Sequence, residues 1–204
     1  MRSFFGPRLA LMEVYAAHLA GAGVQRGLLG PREVPRLWER HLLNCAVVTS
    51  LVPPAASVID VGSGAGLPGL VWAVCRPDLQ ITALEPQTRR VGFLRECVAS
   101  LGLTNVEVRR GRAQDVTGVL SAEVVTARAV APLARLAAWT APLVRTGGQL
   151  IAFKGERAAA ELAAAEAELT RIGLFPQLLR VGQGVTSPPT TVVRLWKRTA
   201  TNTR

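Results

Sequence analysis

Residues 60–69 hold the densest cluster of residues whose types and spacing could do chemistry. The segment reads DVGSGAGLPG, so one acidic residue precedes four glycines. Glycine permits positive φ angles and lets a ligand approach the backbone closely. The apolar run at 57–61 predicts a buried strand just before it, and the loop after such a strand lies at the ligand-binding edge of an open α/β sheet. The segment therefore predicts a cofactor-binding loop between a strand and a helix.

Two cofactors are compatible with this loop. Gly64, Gly66 and Gly69 spell the GxGxxG fingerprint of dinucleotide-binding proteins, and Glu85 follows Gly66 by 19 residues, where a ribose-binding acid is expected. Alternatively, residues 60–66 form an acidic-GxGxG loop that resembles those of S-adenosylmethionine-dependent methyltransferases. This second interpretation is favoured, because a carboxylate suits the cationic amino-acid end of that cofactor better than a pyrophosphate. The cofactor contacts then fall on Asp60, Gly62, Gly64, Gly66 and Glu85.

Three further segments lie at the ends of later predicted strands. Ala113 and Gln114 follow the third strand, where they would meet the adenine of the cofactor, although Asp115 beside them also suits a helix start. Arg128 follows the fourth strand, and a guanidinium can fork onto a phosphate, a carboxylate or the O6/N7 edge of guanine. A surface ion pair is the alternative for Arg128. Lys154 follows the fifth strand, as a phosphate contact or a solvated strand end.

The elements that must position these residues follow from apolar periodicity. Strands are predicted at 57–61, 79–84, 105–109, 123–126 and 148–153, helices at 67–75, 88–101, 133–143 and 157–172, and a final antiparallel pair at 174–181 and 190–196. This alternation predicts an α/β fold of Rossmann-like type, with a mostly parallel seven-stranded sheet and an antiparallel last strand. Residues 1–55 lack strand patterns and predict an N-terminal helical extension, with one helix near 9–19 and one from about 33 to 51. Residues 56–204 are then the methyltransferase domain.

Composition narrows the function classes. Lys and Arg total 24 against 14 Asp and Glu, and 22 of the 24 are arginines, so the net charge of +10 indicates an anionic partner or arginine-biased codon usage. Three cysteines without a CxxC pair and two histidines predict neither a disulfide framework nor a metal site. No stretch reaches the ~18 uncharged apolar residues that span a bilayer, so a cytoplasmic protein without membrane contact is expected.

Taken together, these motifs resemble one family. Besides residues 60–69, the resemblance rests on WERHLLN at 38–44, FLR at 93–95, RAQD at 112–115, ARAVAPL at 127–133 and FKG at 153–155. The chain resembles the bacterial guanine-N7 methyltransferases of small-subunit ribosomal RNA, the glucose-inhibited division protein B (RsmG) family, in its actinobacterial branch. It departs from the family at Gly27, where many members have Asn, at Gln114, where Glu is usual, and at 187–190, where a basic residue is common.

The resemblance implies both a reaction and a set of residues. It implies methyl transfer from S-adenosylmethionine to N7 of one guanosine of 16S rRNA, near the streptomycin-sensitive decoding region, with S-adenosylhomocysteine as the other product. Arg128 is the expected catalytic residue, orienting the base or a phosphate. The cofactor contacts implied at matching positions are Gly62, Leu67, Ala113, Gln114 and Arg128, with Glu85 near the ribose.

The substrate expected from the resemblance is 16S rRNA or the small ribosomal subunit, bound by a monomer. The candidates for RNA contact are Arg36, Arg40, His41, Arg89, Arg90, Arg109, Arg110 and Lys154. For any one of them a solvated charged face is the alternative, and His41 could instead be a buried helix residue near the cofactor loop. Two other functions stay open: a methyltransferase acting on a small molecule or a protein, and a non-catalytic RNA-binding factor for ribosome assembly.

Overall fold

The structure, a computed structural model, describes residues 2–198. The strands are β1 (Ser57–Val61), β2 (Gln80–Glu85), β3 (Val106–Arg110), β4 (Ala122–Arg128), β5 (Val144–Phe153), β6 (Leu174–Val181) and β7 (Thr190–Lys197). The α-helices that alternate with them are Gly69–Cys75, Thr88–Ser100, Leu133–Thr140 and Ala158–Arg171, and short 3₁₀ turns lie at Ala113–Val116 and Ala141–Leu143. This order confirms the predicted alternation, although β4 extends two residues further than expected and includes Arg128.

The seven strands form one sheet in the order β3-β2-β1-β4-β5-β7-β6. Neighbours from β3 to β5 are parallel, and β7 is antiparallel to both β5 and β6, which confirms the predicted antiparallel last strand. The chain reverses its winding between β1 and β4. Open α/β sheets bind ligands at such a switch point, in the crevice outside the carboxyl ends of the strands. The loops after β1 and β4 therefore lie where a ligand is expected to bind.

The N-terminal part is helical but irregular. Its regular helix is Leu9–His18, flanked by the short turns Arg2–Phe5, Gly6–Arg8 and Leu19–Gly23. The expectation of one regular helix over 33–51 is wrong, because this run consists of Pro31–Arg36, Leu37–Leu43, Asn44–Ala46 and Val47–Leu51, which differ in hydrogen-bond spacing. Pro35 lies inside the first piece and has no N–H to donate, so a regular α-helical ladder cannot pass through it.

Side-chain alternation along the strands divides the core into two layers. The layer facing the N-terminal runs contains Val58, Val124 and Ile151. The layer facing the helices Leu133–Thr140 and Ala158–Arg171 contains Ile59, Val125 and Leu150. Because successive strand residues point to opposite faces, Asp60 and Arg128 belong to the N-terminal side of the sheet, whereas Lys154 belongs to the other side.

The N-terminal runs share their core layer with the sheet. Tyr15 on Leu9–His18 is completely buried and donates its hydroxyl to the carbonyl oxygen of Ala65 in the glycine loop, at 2.6 Å. Burial raises the pKa of Tyr15 well above its ordinary value, so the phenol stays a neutral donor. Trp72 donates its indole N–H to the carbonyl oxygen of Cys45 at 2.8 Å. The extension therefore supports the glycine loop directly, while its division from the rest at residue 55 stays a prediction.

Replacing Tyr15 by Phe should lower the free energy of unfolding by about 1 kcal/mol, because the carbonyl of Ala65 then lacks a donor in a buried position. Equilibrium urea unfolding followed by tryptophan fluorescence measures the change. Ser50→Ala is the matched control, since Ser50 is an exposed residue whose hydroxyl also bonds a backbone carbonyl, and it should change stability by less than about 0.5 kcal/mol. Equal stability of Tyr15→Phe and the parent would contradict the support of the loop by Tyr15.

Candidate active site

Asp60 organises the loop after β1. Its side chain is fully buried, and Oδ2 accepts hydrogen bonds from the Ser63 hydroxyl at 2.6 Å and from the Gly69 N–H at 2.9 Å. One carboxylate oxygen thus joins the start of the loop to the first residue of the helix Gly69–Cys75. This contact accounts for a helix that begins at 69 rather than at the predicted 67. A Cβ on Gly69 would lie 2.5 Å from Oδ2, so no larger residue fits there without movement.

The second oxygen of Asp60 has a different environment. Oδ1 is buried and accepts no hydrogen bond from any residue in the described range 2–198. Burial raises the pKa of Asp60 to about 6, although the hydrogen bonds from Ser63 and Gly69 favour the charged form. A desolvated carboxylate oxygen without a donor is costly unless a partner supplies one. The site therefore fits a ligand with a cationic N–H donor, such as the ammonium of an amino-acid cofactor.

Glu85 ends β2 at the same edge of the sheet and is also buried. Its Oε2 accepts the N–H of Gly64 at 2.9 Å, and its Oε1 accepts the N–H of Gln87 at 3.0 Å. These bonds hold the glycine loop against β2, and each oxygen keeps acceptor capacity for a further donor. The strand-end acids and the loop backbone between them fit a cofactor that carries both an ammonium and ribose hydroxyls.

Arg128 is the last residue of β4, and its guanidinium folds against the N-terminal extension. One terminal nitrogen, Nη1, donates to Sγ of Cys45 at 3.2 Å, and the other, Nη2, contacts the carbonyl oxygen of Arg40 at 3.1 Å and Nδ1 of His41 at 2.9 Å. Within residues 2–198 it makes no ion pair. Three of its five N–H donors are thereby used, including both on Nη2, and the two that remain are Nε–H and one N–H of Nη1.

The loop after Arg128 closes over the glycine loop. Ala129 has a φ of 57°, and the side chain of Val130 packs so close to Gly62 that a Cβ there would lie 2.8 Å away. Lys154 donates to the carbonyl oxygen of Ala131 at 3.1 Å and pairs with Glu161 at 2.7 Å, with 8% of its side chain exposed. This placement favours a structural role for Lys154, in which it holds the loop, rather than the predicted phosphate contact or solvated strand end.

The other predicted cofactor residues lie around this crevice and differ in how deeply they are buried. Leu67 is half-buried, Ala113 is buried and Gln114 is exposed. Asp115 accepts the N–H of Arg112 at 3.0 Å and so closes the 3₁₀ turn after β3. A separate cleft of about 250 Å³ lies at the amino ends of β1 to β3, lined among others by Ser57, Gln80 and Asn105, away from all of these residues.

The residues predicted to contact RNA fall into two groups, those without an acidic partner and those with one. Arg36, Arg89 and Arg110 are exposed and make no ion pair among the described residues. The remaining arginines have acidic neighbours: Arg40 lies 3.4 Å from Glu33, Arg90 lies 4.0 Å from Glu85 and Arg109 lies 2.6 Å from Glu107. His41 is half-buried between charged partners. Contact of these residues with RNA stays a prediction.

Several residues of the crevice were missed by sequence reasoning. Tyr15 contacts the glycine loop, Cys45 contacts Arg128, and Glu33 contacts His41. Glu33 precedes His41 by eight residues, about two helical turns, which would place both on one helix face; this was the one available signal. A tyrosine or cysteine on an apolar helix face gives no such signal, since both residue types are common in cores.

Residues 2–198 lack two kinds of feature. No helix in that range is long and apolar enough to cross a membrane. In the same range, no group of three or more His, Cys, Asp and Glu side chains converges in a way that could hold a metal ion.

The matching family model and the similar known proteins carry the same family description. The model of the family described as rRNA small subunit methyltransferase G matches residues 8–185. Proteins named ribosomal RNA small subunit methyltransferase G are 58% identical in Thermobifida fusca, covering 99% of this chain and 86% of the relative, and 58% identical in Streptomyces coelicolor, covering 95% and 82%.

Solved structures agree on the fold. The S-adenosylmethionine-dependent methyltransferase SibL, in its apo form, superposes with a TM-score of 0.63 at 18% identity, over 82% of this chain and 57% of its own. Precorrin-6y C5,15-methyltransferase from Geobacter metallireducens superposes with a TM-score of 0.57 at 16% identity, over 83% and 90%. These structures confirm the Rossmann-like methyltransferase fold that the sequence predicted.

Gly69→Ala should destabilise the protein by about 1–3 kcal/mol, because the added methyl meets the Asp60 carboxylate and forces a shift in a packed site. Gly92→Ala is the matched control in the middle of Thr88–Ser100, where a Cβ meets nothing within 4 Å. It should leave stability unchanged or raise it by up to about 1 kcal/mol, as expected for Gly→Ala in a helix. Thermal unfolding of the two variants side by side tests this, and equal shifts would refute the close approach at Gly69.

Proposed function

Because the chain belongs to the rRNA small subunit methyltransferase G family, we propose that it transfers the methyl group of S-adenosylmethionine to N7 of one guanosine in 16S rRNA. The observation that carries this proposal is the placement of Arg128. Its guanidinium lies at the carboxyl end of β4, beside the switch point, with two N–H donors unused. Each of these two donors, on Nε and Nη1, can bond an acceptor such as O6 or N7 of guanine or a phosphate oxygen.

The cofactor would be held by residues at the ends of β1 to β3. Asp60 would receive the ammonium on its unpaired Oδ1, and Glu85 would accept from the ribose hydroxyls. The further contacts proposed are the backbone at Gly62, Gly64 and Gly66, and the side chains of Leu67, Ala113 and Gln114. When bound, S-adenosylmethionine supplies a methyl group on a positively charged sulfur, which leaves as neutral S-adenosylhomocysteine.

The reaction needs little acid–base chemistry from the protein. N7 of guanine has a lone pair and no proton, so no general base is required. The site accordingly offers a guanidinium, a neutral imidazole, a neutral thiol and buried carboxylates rather than an activated nucleophile. What remains is alignment of the attacking nitrogen with the methyl group, and positioning of this kind can supply up to ~7–11 kcal/mol of the barrier. Arg128 would orient the base or its phosphate.

RNA would reach the crevice across the arginine-rich edge of the sheet and the extension. Arg36, Arg89 and Arg110 are the strongest candidates, because they are exposed without an acidic partner in the described range. Phosphate contacts of this type weaken as salt rises. We also propose that the protein acts in the cytoplasm as a monomer on the small ribosomal subunit or its RNA.

A methylation assay tests the proposal. The wild-type protein is incubated with labelled S-adenosylmethionine and either assembled small subunits, naked 16S rRNA or large-subunit RNA. We expect label in small-subunit RNA at a single guanosine, located by borohydride–aniline cleavage at N7-methylguanosine. Arg128→Lys keeps the charge but loses the planar guanidinium and its fixed donors, so its rate should fall on the order of 100-fold, the scale that misplacement of reacting groups can reach.

Arg171→Lys is the matched control, since Arg171 is an exposed arginine paired with Glu168 on the helix Ala158–Arg171. It should methylate at the wild-type rate. Binding of S-adenosylmethionine without labelling of any RNA would contradict the proposed substrate and leave a small-molecule or protein substrate, or an assembly factor without turnover. A wild-type rate for Arg128→Lys would contradict only the role of the guanidinium.

Cofactor affinity should depend on pH through Asp60. The pKa of Asp60 in the folded protein, about 6, lies above its ordinary value, so its contribution to stability is complete below pH 4 and is lost as pH rises through 6. Binding of the cofactor ammonium needs the charged carboxylate and has the opposite trend. The Kd for S-adenosylmethionine should therefore fall about tenfold between pH 5 and pH 7.

Isothermal titration calorimetry measures this dependence. Asp60→Asn should bind weakly with little change over the same pH range, because it cannot ionise. Asp115→Asn, a carboxylate in the turn after β3, should keep the wild-type dependence. A Kd that is flat from pH 5 to pH 7 in the wild-type protein would show that Asp60 does not receive the ammonium.

A further inference from the structure

His41 forms a bridge between Arg128 and an acidic residue of the extension. Its Nδ1 lies 2.9 Å from Nη2 of Arg128, and its Nε2 lies 2.8 Å from Oε2 of Glu33. The half-buried imidazole has 12% of its side chain exposed. Glu33 also lies 3.4 Å from Arg40, whose carbonyl oxygen accepts from the same Nη2. The three side chains therefore form a continuous chain from the surface of the extension to the end of β4.

The two partners allow the imidazole one protonation state. A guanidinium only donates, so the ring nitrogen facing Arg128 must carry a lone pair. An ionised carboxylate only accepts, so the nitrogen facing Glu33 must carry the hydrogen. The hydrogen bond with His41 chiefly lowers the pKa of Glu33, which keeps it ionised. Burial, followed by the charge of Arg128, lowers the pKa of His41 and keeps the ring neutral.

We propose that Glu33 and His41 are positioning residues for Arg128: Glu33 fixes His41 as the Nε2–H tautomer, and the Nδ1 lone pair so created helps to hold the guanidinium plane. The other two holding groups are the carbonyl oxygen of Arg40 and the sulfur of Cys45. Burial raises the pKa of Cys45, so its thiol stays neutral and accepts through sulfur. Three acceptors on two terminal nitrogens fix a planar group in orientation as well as place.

The opposite tautomer would undo this arrangement. With the hydrogen on Nδ1, two donors would face each other across 2.9 Å, and the guanidinium would have to turn away. A neutral amide in place of Glu33 can donate as well as accept, so it permits either tautomer. With Glu33 both partners of His41 require the same tautomer, whereas with a glutamine only Arg128 does. The unused N–H groups of Arg128, on Nε and Nη1, then keep fixed directions, as the methyl transfer proposed above needs.

The tautomer can be measured on the protein without cofactor or RNA. The chain has two histidines, so a two-dimensional ¹⁵N–¹H spectrum of the imidazoles contains two ring patterns, and His18→Gln identifies that of His41. At pH 7.5 we expect a protonated Nε2 and an unprotonated Nδ1. In Glu33→Gln the pattern should shift toward a mixture of tautomers. A protonated Nδ1 in the wild-type protein, or an unchanged pattern in Glu33→Gln, would overturn the proposal.

A double-mutant cycle tests the consequence for catalysis, and this arm rests on the proposed methyl transfer. In His41→Asn the amide oxygen lies near the former position of Nδ1. It can accept a hydrogen bond from Arg128 whether residue 33 is Glu or Gln. Glu33→Gln should therefore lower kcat about tenfold in the His41 background and less than about twofold in the His41→Asn background. His41→Gln, whose amide lies near Nε2 instead, should be slower than His41→Asn.

Glu168→Gln is the matched control, because Glu168 pairs with Arg171 far from the crevice, and it should keep the wild-type kcat. Equal loss from Glu33→Gln in both backgrounds, with unchanged thermal unfolding, would mean that Glu33 does not act through the tautomer. If the wild-type protein labels no RNA, the proposed function fails, and the spectrum alone then decides the assignment of Glu33 and His41.

Discussion

The two hydrogen bonds accepted by one buried oxygen of Asp60 determine the geometry of the whole crevice. They bind the Ser63 hydroxyl and the Gly69 N–H to the end of β1, and so define the path of the loop and the first turn of the helix after it. The loop is then held from two other sides, by Tyr15 at Ala65 and by Glu85 at Gly64. With its backbone fixed in this way, the loop can meet a ligand without first having to order itself.

Strand alternation explains which side chains meet. β4 sends Val124, Thr126 and Arg128 to the face covered by the N-terminal runs, so the guanidinium reaches Cys45 and His41 rather than solvent. Lys154 lies on the opposite face, where it forms an ion pair with Glu161. The loop at 129–132 is consequently anchored once on each side of the sheet. A fixed loop of this kind explains how Val130 can pack against Gly62 so closely.

Local patterns in the sequence predict much of this fold. The alternating elements, the glycine loop and the acids at the ends of β1 and β2 each have a local signal, and the structure has strands and loops where those signals lie. The long-range contacts were not predictable, because they depend on how the extension packs on the sheet. No local rule brings Tyr15 to Ala65, which lies 50 residues later, or Arg40 to Arg128, which lies 88 residues later. The irregular run at 31–51 was missed for a related reason, since apolar spacing alone does not report a change in hydrogen-bond pattern.

The N-terminal extension is therefore part of the crevice. It supplies Tyr15, which supports the glycine loop, and the acceptors that orient Arg128. The methyl transfer proposed for this crevice needs no general base, so it depends on orientation, and the groups behind Arg128 set that orientation as much as its own side chain does. An arginine at the end of a strand with only solvent around it would sample many rotamers, each with a cost in entropy when it is fixed on binding. The extension surrounds this guanidinium with three fixed acceptors, so the side-chain entropy of Arg128 is lost during folding rather than when a ligand binds.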